Sequence, residues 1–172
     1  MRSVLLAVAG AAAIVGQAWA ADDPACAFWN QLLGDQAAPF VKYRAGKVDA
    51  AGIAKGALAP SKAYVCEYQA EDETNASTYP RTYTCTASVA LREALSKDYD
   101  DARTQLAACY PDIKFDEVVT QEAGMYKVSR AKQPPFALQI EAAFDKATGT
   151  GGRAAGKLTL SVAWKPAAKT PP

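Results

Sequence analysis

Two runs near the C-terminal end, FALQIEAAFD at residues 136–145 and KLTLSVAWK at residues 157–165, decide the fold. In the first, Phe136, Leu138, Ile140, Ala142 and Phe144 fall on one side, with Gln139, Glu141 and Asp145 on the other. In the second, Leu158, Leu160, Val162 and Trp164 alternate with Lys157, Thr159, Ser161 and Lys165. Side chains point to opposite faces at successive strand positions, so each run predicts a strand with one dry face and one wet face. The intervening Thr148–Arg153, rich in glycine, reads as the loop of a hairpin. A one-sided antiparallel sheet needs an apolar cover.

The segment before these strands supplies that cover. Leu91, Leu95, Tyr99, Ala102, Leu106 and Cys109 recur at steps of three and four, the spacing of one helical stripe. Arg92, Glu93, Lys97, Asp98, Asp101 and Arg103 mostly avoid that stripe. Tyr110-Pro111 ends the helix, and its start lies between Ser88 and Ser96. Nearer the N-terminus, Asp23-Pro24 is a helix start, followed by Cys26, Trp29 and Leu33 at helical spacing and Gly34 as a stop. A short turn over Phe40–Arg44 follows Pro39. Residues 45–60 carry only Val48, Ile53 and Leu58 as larger apolar groups and predict an irregular or weakly helical connector. Ala63–Gln69 and Arg81–Ser88 alternate as strands around the polar loop Ala70–Pro80, and Met125–Ala131 adds another strand. The expected fold is α+β, in the order α-β-β-α-β-β-β. It is a mainly antiparallel sheet of about five strands with helices packed on one face. No internal repeat or linker is visible.

The N-terminus has the three-part plan of a secretory signal. Arg2 is followed by an uncharged run of 13 residues, Val4–Gly16, and Ala18-Trp19-Ala20 offers small residues for cleavage after Ala20. That run falls short of the roughly 20 residues a membrane-crossing helix needs. The expected organisation is a cleaved signal at 1–20, one domain at 21–165 and a disordered tail at 166–172. The expected location is periplasmic or secreted, with no integral membrane segment after cleavage. The chain has 19 basic and 18 acidic residues, and the signal removes one basic residue, Arg2, so the mature part has no net charge. That balance argues against nucleic acid as a partner.

Cys26, Cys66, Cys85 and Cys109 are an even set in an exported chain, which predicts two disulfides. Their wide spacing and the absence of histidine do not suit a metal site. If the Asn75 region is a hairpin turn, Cys66 faces Cys85 and leaves Cys26 for Cys109. If the long helix starts late, Cys85 meets Cys109, and Cys26 meets Cys66. The sequence favours the hairpin pairing only slightly.

The lack of any histidine removes Ser-His-Asp, Cys-His and His-ligated zinc chemistry. No cofactor motif is present. Asp98, Asp100 and Asp101 miss the calcium-loop spacing and read as a solvated face, or as first-turn acids of a late-starting helix. The glycines at 149, 151 and 152 lead into a strand rather than a helix, which is not a phosphate loop. Asn75-Ala76-Ser77 matches a glycosylation acceptor pattern. Tyr64, Tyr68, Tyr79, Tyr83 and Tyr126 gather around the first hairpin, and Tyr79 is the one expected to be exposed. The loop residues Glu71, Asp72, Glu73 and Tyr79 are the candidate partner-binding set, suited to a basic partner surface. The expected function is an exported binding module that recognises another protein or an envelope component, of which an inhibitor or immunity-type role is one version. An envelope assembly factor is the alternative. A hydrolase using Asp98, Asp100, Asp101, Glu117 or Glu141 ranks last. No catalytic, cofactor or metal residue is assigned, and oligomeric state is left open.

Overall fold

The computed structural model describes residues 26–34, 38–71, 79–120, 124–145 and 156–166. The expected signal at 1–20, the glycine loop at 149–152, the Asn75–Ser77 pattern and all of the 166–172 tail but Pro166 lie outside them.

Helix α1 (Ala27–Gly34) is followed by a 3-10 turn at Val41–Tyr43 and four strands. These are β1 (Arg44–Ala45), β2 (Ile53–Gly56), β3 (Tyr64–Ala70) and β4 (Arg81–Val89). Helix α2 (Arg92–Cys109) leads into β5 (Asp116–Thr120), β6 (Gly124–Gln133), β7 (Phe136–Asp145) and β8 (Gly156–Trp164). All eight strands form one antiparallel sheet in the order β1-β2-β3-β4-β8-β7-β6-β5. The α+β class holds, but the sheet has eight strands where about five were expected.

The three extra strands are short and apolar-poor, which is why periodicity does not reveal them. β1 and β2 replace the expected connector. Their conformation comes from pairing, with Ile53 opposite Gln69, Ala54 opposite Tyr68 and Lys55 opposite Glu67. A tight turn sets up that pairing. The Asp49 carboxylate accepts from the backbone N–H groups of Ala51 and Ile53, both at 2.9 Å. Gly52 has φ +76°, and a Cβ there would lie 2.1 Å from the Ala70 carbonyl oxygen. Asp and Gly are the residues such a turn demands. β5 occupies the far edge and, among the described residues, pairs only with β6.

The element order also repeats, which the sequence does not announce. Each half is a helix followed by a four-stranded meander. The last strands, β4 and β8, pair antiparallel at the centre, flanked by β3 and β7, then β2 and β6, then β1 and β5. A local two-fold axis normal to the sheet at the β4–β8 pair relates this order in the two halves.

Residues paired across the ladder share a face. Cys66, Cys85, Leu160, Ile140 and Ser129 form one such row. All five are buried, so the dry face runs across five strands. Tyr99 of α2 shares a hydroxyl hydrogen bond of 2.6 Å with Ser129, which places α2 on that face. Leu95, Tyr99, Leu106 and Cys109 are buried there, as are Phe28, Trp29, Leu32 and Leu33 of α1. Each fully buried large side chain of this kind contributes about 1.5–3 kcal/mol. Leu91, expected to open the stripe, is instead the exposed residue before the helix and caps nothing with its side chain. The helix therefore starts at Arg92, between the two candidate serines, and Asp98–Asp101 are mid-helix rather than first-turn acids.

Phe40 is fully buried with φ 66°, a conformation costly for a bulky residue. Its ring lies 5.9 Å from that of Tyr83 and 6.0 Å from that of Phe136, and this packing holds the backbone there. The two disulfides are Cys66–Cys85 and Cys26–Cys109. The first links directly opposed residues of β3 and β4. The second ties the start of α1 to the end of α2. This is the hairpin pairing.

Candidate functional site

Both helices sit on the dry face, and a groove remains where they do not meet the β3–β4 side of the sheet. Part of it, about 640 Å³, is lined by Pro60, Ser61, Tyr64, Ser88, Asp98 and Asp101 among others. A neighbouring hollow of about 240 Å³ reaches Phe28, Trp29 and Gln31 of α1. Pro60, Tyr64, Ala102 and Gln105 line both, so the two are continuous.

Each wall has a local cause. α2 turns Asp98, Asp101, Ala102 and Gln105 toward the groove, at the helical spacing of three and four that sets residues on one face. The opposite wall is the β2–β3 connection, and Tyr83 fixes it. The Tyr83 hydroxyl donates to the Leu58 carbonyl at 2.7 Å and accepts from the Leu58 N–H at 2.9 Å. It can reach there because Gly56 has no side chain. A Cβ at Gly56 would lie 2.4 Å from the Tyr83 hydroxyl oxygen and 2.8 Å from the Cys66 Cβ.

The groove is electrically one-signed. Among the described residues its charged lining groups are Asp98 and Asp101, and no described lysine or arginine lines either part. The three acids of α2 have different fates. Asp100 meets Lys127 at 3.3 Å on the β6 side. Asp101 is bridged by Lys97 one turn earlier. Asp98 has no ion-pair partner among the described residues. The Tyr64 hydroxyl is held above its ordinary pKa, first by burial and then by the Asp98 charge. The groove thus presents an unpaired carboxylate, a neutral phenol, an amide and the serine hydroxyls.

Of the loop residues singled out by sequence, Asp72 and Glu73 lie outside the described residues. Glu71 is exposed at the end of β3, and Tyr79 is exposed before β4. Both lie at the end of the β3–β4 hairpin opposite the groove, since Tyr64 pairs with Ala87 at one end and Ala70 with Arg81 at the other. Tyr68 and Tyr83 are buried, and Tyr126 is partly covered. The other acids considered for catalysis are dispersed. Glu117 is bridged by Arg103 at 2.9 Å. Glu141 accepts from Gln139 at 2.9 Å on the outer face of the sheet. Among the described residues no group of three His, Cys, Asp or Glu side chains could hold a metal ion, and no helix is long and apolar enough to cross a membrane.

The groove is not visible in the sequence. Tyr64 and Asp98 stand out there separately, but their meeting depends on the helix start at Arg92 and on β2, which were not legible. No protein-family model matches the chain, and no curated protein or solved structure matches it either.

Proposed function

We propose that this protein is an exported, disulfide-stapled binding module of the cell envelope, and that it captures a basic segment of a partner protein in the groove between α2 and the β2–β3 connection. The supporting observation is the groove's lining, in which Asp98 and Asp101 are the only charges among the described residues, and Asp98 has no ion-pair partner among them. A lysine or arginine side chain fits that chemistry. Its alkyl stem packs along Ala102, Pro60 and the Tyr64 ring while its head meets the Asp98 carboxylate. Tyrosine walls suit recognition because they give area at low entropic cost and keep a polar tip. The exported location rests on the N-terminal signal pattern, and the two disulfides agree with it.

Capture from periplasmic extract under oxidising conditions tests this reading. The wild type is compared with the D98K/D101K variant, which inverts the groove's charge. A stoichiometric partner held by the wild type and lost by the variant is expected. A partner held equally by both places binding elsewhere. Recovery of no partner, with crosslinking included, removes the binding-module reading.

A further inference from the structure

We infer that β5 is a self-association edge, and that two copies of this chain join by antiparallel β5–β5 pairing into one continuous sheet. Among the described residues β5 closes the sheet on one side, and its strand partner there is β6 alone. In an antiparallel ladder every second residue of an edge strand turns its N–H and C=O away from its neighbour, open to another strand.

Val118 and Val119 are 52% and 47% exposed. They are adjacent, so they stand on opposite faces of the sheet. A partner lying on either face covers only one of them. A strand lying beside β5 covers both. Edge strands are commonly protected by proline, charged side chains, inward-pointing charges or extreme shortness. The opposite edge has that protection, since β1 is only Arg44–Ala45. β5 is Asp-Glu-Val-Val-Thr, with neither proline nor lysine, and its acid on the dry face, Glu117, is neutralised by Arg103 of its own chain.

The occupant is a second copy because the strand is complementary to itself. In an antiparallel pair centred on Val118, Val118 meets Val118 and Glu117 meets Val119. The two Asp116 residues then lie at opposite ends, so no like charges face each other. A parallel pair in register would oppose Asp116 to Asp116 and Glu117 to Glu117. The charge of Glu117 is already met by Arg103 of its own chain at 2.9 Å. The chain uses the same solution internally, where β4 and β8 join two four-stranded meanders antiparallel. Pairing identical edges is isologous and closes at two copies, whereas β1, two residues long, offers no second edge for an open fibre. Five residues of pairing put the interface at the small end of the known range, where association is weak and transient.

Sedimentation velocity of the purified protein over a wide micromolar range tests this. The wild type is expected to pass from monomer to dimer as concentration rises, with no larger species. V118K and V119E are each expected to weaken dimerisation at least about tenfold, since V118K opposes two lysines across the new ladder and V119E opposes a glutamate to Glu117 of the other copy. V65K alters a still more exposed valine on β3, five strands away, and is expected to dimerise as the wild type does. A wild type that stays monomeric overturns the inference. So does a dimer unaffected by V118K and V119E, or weakened as much by V65K. Charge reversal at Asp98 leaves β5 untouched, so this result and the groove's are independent.

Discussion

Replacing Gly56 by alanine probes how the groove wall is held. The added Cβ would sit 2.4 Å from the Tyr83 hydroxyl oxygen, 2.8 Å from its Cζ and 2.8 Å from the Cys66 Cβ. Cys66 is fixed by its disulfide to Cys85, so the Tyr83 ring is the group that yields. Crowding of this kind costs about 1–3 kcal/mol. Moving the ring also breaks its two hydrogen bonds to Leu58, each contributing about 1 kcal/mol. G56A is therefore expected to lose about 3–5 kcal/mol. Y83F removes the same two hydrogen bonds without crowding and is expected to lose about 2 kcal/mol. In the double variant the ring is already untethered and moves without further loss. The two hydrogen bonds are then lost once rather than twice, so the two changes should fall short of additivity by about 2 kcal/mol. Urea denaturation of the wild type, both single variants and the double variant measures this coupling under oxidising conditions. Additivity within about 0.5 kcal/mol would refute the claim that Tyr83 is the strut of the Leu58–Pro60 wall.

Other perturbations follow from the same packing. Arg81 is only 1% exposed, and its Nε and Nη1, like the Tyr68 hydroxyl, have no hydrogen-bond partner among the described residues. R81M is expected to be neutral or to stabilise by about 1–4 kcal/mol, and a loss beyond about 2 kcal/mol in thermal unfolding would show an ion pair that this account lacks. Burial is the first cause that raises the Tyr64, Tyr83, Tyr99 and Tyr110 pKa values, and Asp98 adds to it at Tyr64. The fold thus prefers neutral phenols. This stability is intact below the unfolded value of about 10 and is lost as pH rises through the higher folded values, so Tm should fall on the alkaline side in step with phenolate absorbance. The Cys26–Cys109 bond closes 83 residues and Cys66–Cys85 closes 19, so loop entropy ranks their loss at about 4.5 and 3 kcal/mol. The C26S/C109S variant should then be the less stable of the two paired replacements in urea.

The legible parts of the fold are those whose burial is one-sided. Phe136–Phe144 and Leu158–Trp164 alternate because one face of β7 and β8 is covered by helix, and the stripe through Leu95, Tyr99 and Leu106 marks the helix that covers it. Cys66 and Cys85 mark the first hairpin's register for the same reason. What stayed hidden depends on pairing rather than pattern. β1 and β5 are edge strands of two and five residues, and β2 takes its conformation from the Asp49–Gly52 turn and its pairing with β3. The groove was hidden because no single element contains it. Tyr64 reads as one more strand tyrosine and Asp98 as one more solvated acid until the α2 start and the Tyr83–Leu58 tether place them on one surface.

The central claim, that the groove selects a basic segment, is tested most directly by amide NMR titration of the protein with a lysine- and arginine-rich peptide and with its glutamate-substituted counterpart. The account predicts saturable shifts confined to Ser61, Tyr64, Ser88, Asp98, Ala102 and Gln105 for the basic peptide, their loss in D98K/D101K, and none for the acidic peptide. Equal shifts from both peptides, or shifts centred on Glu71 and Tyr79 with the groove unmoved, would contradict it.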